Sequence, residues 1–133
     1  MVVVLVIGIL IAIALPLMLG ARTRAQDRRA HADLRNGVAA AKVFYTDSET
    51  FTGFSAGGTA QAIEPSIQWT GPADPGGSDA VAIVAAGSDD LLIVRRSDSG
   101  RYFCFVDQVS GFTKGSGATF AAVDTPAECI NGW

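Results

Sequence analysis

The chain predicts an α+β fold carried on a helical stem, and three observations lead to it. Residues 1–21, Met1 to Ala21, form one uncharged apolar run that holds Gly8 and Pro16. From Arg22 this run passes without an obvious break into an amphipathic pattern that reaches Thr46. Between Ala80 and Val106 three strand-like runs follow one another, separated by short turn sequences.

The first element is the long helix. Ala25, Ala32, Leu34, Val38, Ala41 and Tyr45 recur at steps of three, four or seven, while Arg28, Arg29, Asp33, Arg35 and Lys42 occupy other faces. That is the pattern of a helix with one buried stripe. At about 1.5 Å per residue the whole rod is roughly 70 Å long, apolar all round in its first half and on one side in its second. Pro16 removes a helical hydrogen bond and costs about 3 kcal/mol in a helix interior, and Gly8 adds about 1 kcal/mol. The stretch between them is the weakest part of the rod. Lipid leaves unpaired backbone groups without partners, so the segment is expected to stay helical in a membrane.

After Tyr45 the periodicity stops, and Thr46 to Gly58 reads as a connecting loop. Phe51 and Phe54 flank Gly53 there, placed to pin the loop onto the core. Ala60, Ala62 and Ile63 suit one helical turn before Pro65. Ser66–Thr70 alternates enough for a short strand, and Gly71–Ser78 is a long turn. Then come Ala80–Ala85, Leu91–Arg95 and Arg101–Val106, with Gly87–Asp90 and Ser97–Gly100 as turns. These make a three-stranded antiparallel meander, four-stranded if the run near Trp69 joins it. Its apolar face is expected to lie under the amphipathic half of the helix. The tail, Gly111 to Trp133, is rich in glycine, serine and threonine and reads as loop.

The chain divides into a hydrophobic stem, 1–21, and one globular head, 22–133, that includes the amphipathic helix 22–46; a second globular domain is not expected. About 110 residues suffice for a single modest core. Charge is split along the chain. Residues 1–45 carry Arg22, Arg24, Arg28, Arg29, Arg35 and Lys42 against Asp27 and Asp33, whereas the remainder carries four basic and eleven acidic residues. The stem side is net positive and the head net negative.

A helix of 21 residues is about 31 Å long, which matches the hydrocarbon thickness of a bilayer. As a plain anchor it would place the arginines that follow, and the head with them, in the cytoplasm. Cys104 and Cys129 point the other way: a lone pair near the C-terminus suggests a disulfide formed outside the cytoplasm. Two unpaired buried cysteines remain the alternative.

The segment Val2 to Pro16, with its glycine at 8 and proline at 16, resembles the N-terminal stem of type IV pilins, the family with class III signals. In that family a basic leader fixes orientation and is removed by a dedicated prepilin peptidase, which reconciles the arginines with an exported head. The Phe-Thr-Leu-Ile-Glu stretch that follows the family's cleavage site is absent, so the resemblance sets Met1 slightly inside the stem. The processing site, the methylated terminal amine and the glutamate that registers the filament would lie upstream. The resemblance implies the pilin fold, with Cys104 and Cys129 bounding a C-terminal disulfide loop. It also implies that the helix melts between Gly8 and Pro16 on assembly, leaving residues 9–15 non-helical in a filament.

Catalytic machinery is not expected. His31 is the only histidine and sits among Arg28, Arg29 and Asp33, as a solvated helix-surface residue would. Lys114-Gly-Ser116 lacks the upstream glycine spacing of a phosphate-binding loop. Asp74 with Asp79, or Asp89 with Asp90, has no calcium-loop spacing, although the resemblance raises the question because major pseudopilins use such a site. No cofactor is expected. No Asn-x-Ser/Thr acceptor is present.

The resemblance therefore implies a structural subunit that polymerises through its N-terminal helix for adhesion, twitching motility or DNA uptake. Its partners would be other copies of itself, the bacterial inner membrane before assembly, the prepilin peptidase and the pilus assembly platform. It would end in an extracellular surface filament. The acidic head is not expected to contact nucleic acid. Two alternatives stand beside this: a pseudopilin of a type II secretion system, and a monomeric membrane-anchored binding module.

Overall fold

The computed structural model describes residues 1–133, apart from the side chains of residues 15–17. The element order is α1 (Val2–Ser48), α2 (Thr59–Ile63), β1 (Gln68–Thr70), β2 (Ala80–Ala86), β3 (Leu91–Arg96), β4 (Tyr102–Gln108) and β5 (Gly111–Gly117). A single turn of 3-10 helix, Phe120–Ala122, follows. The fold is α+β, with the C-terminal half of α1 laid against the sheet, as the sequence predicts.

α1 is one continuous helix of 47 residues, crossing Gly8 without interruption. The side chain of Pro16 lies outside the described residues. The helix ends where Glu49 enters the left-handed region at φ 54° and donates its backbone N–H to Tyr45 O at 2.7 Å. The buried stripe differs in detail from the expected one. Leu34, Val38 and Ala41 are buried, but Ala25 and Ala32 are exposed and Ala30 takes the inward position one turn before Leu34. The helix comes close to the sheet at Gly37, where a Cβ would stand 3.1 Å from Ile93 Cδ1 and 3.3 Å from the Trp69 ring.

The sheet runs β1-β2-β3-β4-β5 in space, so every neighbour in sequence is a neighbour in the sheet. β2 through β5 are antiparallel, and β1 joins the edge parallel to β2, with Trp69 opposite Val81. Residues 71–79 double back to allow this.

β5 is the element that sequence reading assigned to the loop-like tail. Its sequence, GFTKGSG, has weak strand propensity, and it forms because β4 offers a complete ladder from Tyr102–Gly117 to Gln108–Gly111.

Both faces of the sheet are covered. Toward α1, Val81, Ile83, Leu91, Ile93, Phe103 and Phe105 meet Leu34, Val38, Phe51 and Phe54. On the opposite face, Leu92, Val94, Cys104 and Val106 pack with Val123 and Cys129. This explains why Leu91–Val94 is apolar at every position instead of alternating: a strand buried on both sides has no solvent-facing residues. The cover is fastened by the Cys104–Cys129 disulfide, with Cα atoms 5.9 Å apart and 25 residues between them in sequence. By the loop-entropy model that closure is worth about 3 kcal/mol.

Candidate assembly surface

Among the described residues, every side chain of α1 up to Ala25 is exposed. An 18-residue window within it has a mean hydropathy of 3.2 and none of its residues buried. Val2, Leu5, Leu10 and Leu19 each expose more than 60% of their surface. The helix is long and apolar enough to cross a membrane. A Cβ built on Gly8 meets no atom within 4 Å, so nothing in the isolated chain demands glycine at that position.

Where the helix reaches the head, polar groups hold it. Ser97 Oγ donates to Asp27 Oδ1 at 2.8 Å, and Ser99 Oγ donates to the same oxygen. One turn and a half further on, Asp33 Oδ2 meets Arg95 Nη1 at 2.7 Å. Arg95 is only 3% exposed, and burial pulls its pKa below the usual arginine value while Asp33 opposes the shift. Arg29 Nη2 reaches Asp79 Oδ1 at 3.1 Å on the surface, where such a pair contributes little. None of these contacts is evident from sequence, because each joins positions more than forty residues apart.

His31 is not the solvated surface residue expected. Its ring stacks on Trp133 at 4.1 Å between centroids and meets the edge of Phe103 at 4.5 Å. The helical stripe and the tail both converge on it. Trp133 Nε1 donates to Cys104 O at 3.1 Å, and Lys114 Nζ lies 4.8 Å from the Trp133 ring. Burial pushes the His31 pKa below its ordinary value; Asp27 opposes this, while Arg35, Lys114 and Arg101 reinforce it.

Of the four aspartates considered for calcium, Asp74, Asp79 and Asp89 are separately engaged. Tyr102 OH donates to Asp74 Oδ2 at 2.9 Å, and its own pKa is raised by burial and by that bond. Asp79 pairs with Arg29, and Tyr45 OH donates to Asp89 Oδ1 at 3.1 Å. Among the described residues no group of three or more His, Cys, Asp or Glu side chains is placed to hold a metal ion.

At the end of the head remote from the stem lies a groove of about 330 Å³. Tyr45, Phe51 and Val109 supply its apolar lining, and Asp89, Asp107 and Lys42 its charged rim. Lys42 Nζ and Asp107 Oδ2 are 3.2 Å apart.

Neither protein-family models, curated proteins nor solved structures provide a match to this chain.

Proposed function

We propose that this chain is a structural subunit of a type IV pilus-like filament, held in the membrane by residues 1–21 before assembly and by the stems of neighbouring copies afterwards. One observation carries this reading: an apolar helix exposed on every side is continuous with a helix that is clamped to a disulfide-bonded head. Such a surface needs a cover. Lipid provides one, and a bundle of identical stems provides another, at about 2.5 kcal/mol for each 100 Å² of apolar surface buried.

The one-piece helix also bears on mechanics. A stem joined to its head without a hinge transmits axial load directly into the head, as a fibre subunit must. A repeated heterologous contact along one axis would make the polymer open-ended. Gly8 is unexplained by contacts within the chain, and it suits a stem whose neighbours approach closely or whose helix loosens when surrounded by protein. Adhesion, twitching motility or DNA uptake would then be tasks of the assembled fibre.

The test is electron microscopy of cells with and without the gene, with antibodies against the head. Thin surface fibres that carry the antibody and vanish on deletion support the reading. Exoprotein secretion failing in place of fibre formation would indicate a pseudopilin, and a chain that stays monomeric in the membrane would indicate an anchored binding module.

A further inference from the structure

We infer that the groove at the far end of the head is a receptor for an arginine from the neck of a second copy, Arg24 or Arg28, joining subunits head to tail. The inference rests on the filament reading above.

The two ends of the head carry opposite charge. Asp89 and Asp107 line the groove and Asp90 the surface adjoining it, with Lys42 as their cationic neighbour. At the neck, Arg22, Arg24 and Arg28 are exposed, and among the described residues none of them forms an ion pair. Arg24 and Arg28 stand four residues apart and so share one face of α1.

The groove suits a guanidinium. Tyr45, backed by the buried ring of Phe51, offers aromatic surface on which a planar cation can lie. Tyr45 OH and Lys42 Nζ each occupy one oxygen of Asp89 and Asp107, which leaves the second oxygen of each carboxylate free to accept from the incoming N–H groups.

A chain cannot fill its own groove. Arg24 and Tyr45 are 21 residues apart on one continuous helix, which is about 32 Å at 1.5 Å per residue and far beyond the reach of a side chain. The contact is therefore intermolecular. Because donor and receptor are different patches, each subunit can accept one neighbour and offer itself to another, which propagates the contact along α1 without closing it.

The experiment uses the full chain in membranes, with Ala21→Cys and Gln108→Cys introduced together and a short thiol-reactive bifunctional cross-linker added. Both positions are exposed and neither supplies a charge to the contact. A ladder of covalent multimers on a non-reducing gel is expected from the double variant, and at most a dimer from either single variant. Arg24→Glu with Arg28→Glu should reduce the ladder at least tenfold, and adding Asp89→Arg should restore it in part. Retention of the Cys104–Cys129 bond reports that each variant has folded. Fibres without a ladder would overturn the groove contact and leave the filament reading standing. Absence of both would overturn the two together, and a ladder indifferent to the arginine reversals would overturn the role given to Arg24 and Arg28.

Discussion

Arg95 Nη1 sits 2.7 Å from Asp33 Oδ2, pinning the central strand β3 to the middle of α1. Arg95 is almost fully buried, whereas Asp33 keeps about a quarter of its side chain in water. The pair is asymmetric: removing the carboxylate strands a buried cation, while removing the cation leaves an acid that water can still reach. Asp33→Ala should therefore lower stability by about 3 kcal/mol, in the range for a buried pair broken from one side. Asp33→Ala with Arg95→Met should recover much of it. Thermal unfolding in detergent measures both, together with Arg95→Met alone; a loss in the double variant equal to the sum of the two single losses would show that the pair is not coupled.

Gly115 is the position where the tail crosses β5. A Cβ there would lie 2.7 Å from Cys129 Cα and 2.9 Å from Cys104 Sγ. Because the nearest atoms are backbone, relief requires the tail to move. Gly115→Ala is expected to destabilise the head by about 1–3 kcal/mol, as overpacking does, and to leave a fraction of molecules with free thiols. Alkylation under denaturing conditions, followed by mass measurement, reads that fraction. Full disulfide formation with unchanged stability would contradict the geometry.

His31 predicts a pH dependence. Its folded-state pKa lies below the ordinary value of about 6.5, so the unfolded chain takes up the proton first as pH falls. Stability from this residue is undiminished above about pH 6.5, declines as pH drops through that value, and levels off once the folded ring is protonated too. Chemical unfolding between pH 5 and 7.5, followed by tryptophan fluorescence, should show the decline in the native chain. His31→Phe should flatten it, and an unchanged slope would assign the effect to other groups.

Gly8→Ala should raise the helical stability of the stem by about 1 kcal/mol while leaving the head's unfolding unchanged, since no atom lies within 4 Å of the new methyl group. On the filament reading proposed above, its effect should emerge only on assembly, as reduced fibre yield or extensibility. If the chain polymerises as proposed, residues 9–15 are expected to be non-helical in the fibre. A filament map with unbroken helical density from Gly8 through Leu17 would refute that expectation.

The helix and strands β2 to β4 were legible because periodicity and apolar runs are local properties of sequence. Phe51 and Phe54 likewise read correctly as anchors of the connecting loop, and both are buried. β5 was hidden because its glycines answer a tertiary demand: Gly115 and Gly117 make room for Cys129 and for Ala122, contacts that no local pattern encodes. The apolar run Leu91–Val94 did contain a usable signal, since burial on both faces requires a second cover and only the tail remained to supply it. For the candidate assembly surface, the stem was plain from composition. The groove was not, because Tyr45, Phe51, Asp89 and Asp107 come together only through the turns at the far end of the sheet.

The second cover has a consequence for biosynthesis. Leu92, Val94 and Val106 are shielded on that face by Val123 and Cys129, which are delivered after the whole sheet. A nascent chain that has completed β4 and β5 still presents an open apolar surface of the kind that chaperones and proteases engage. That face closes only when Val123 and Cys129 reach it, so a chain truncated before Val123 is expected to leave Leu92, Val94 and Val106 uncovered and to lack the bond that fastens the cover.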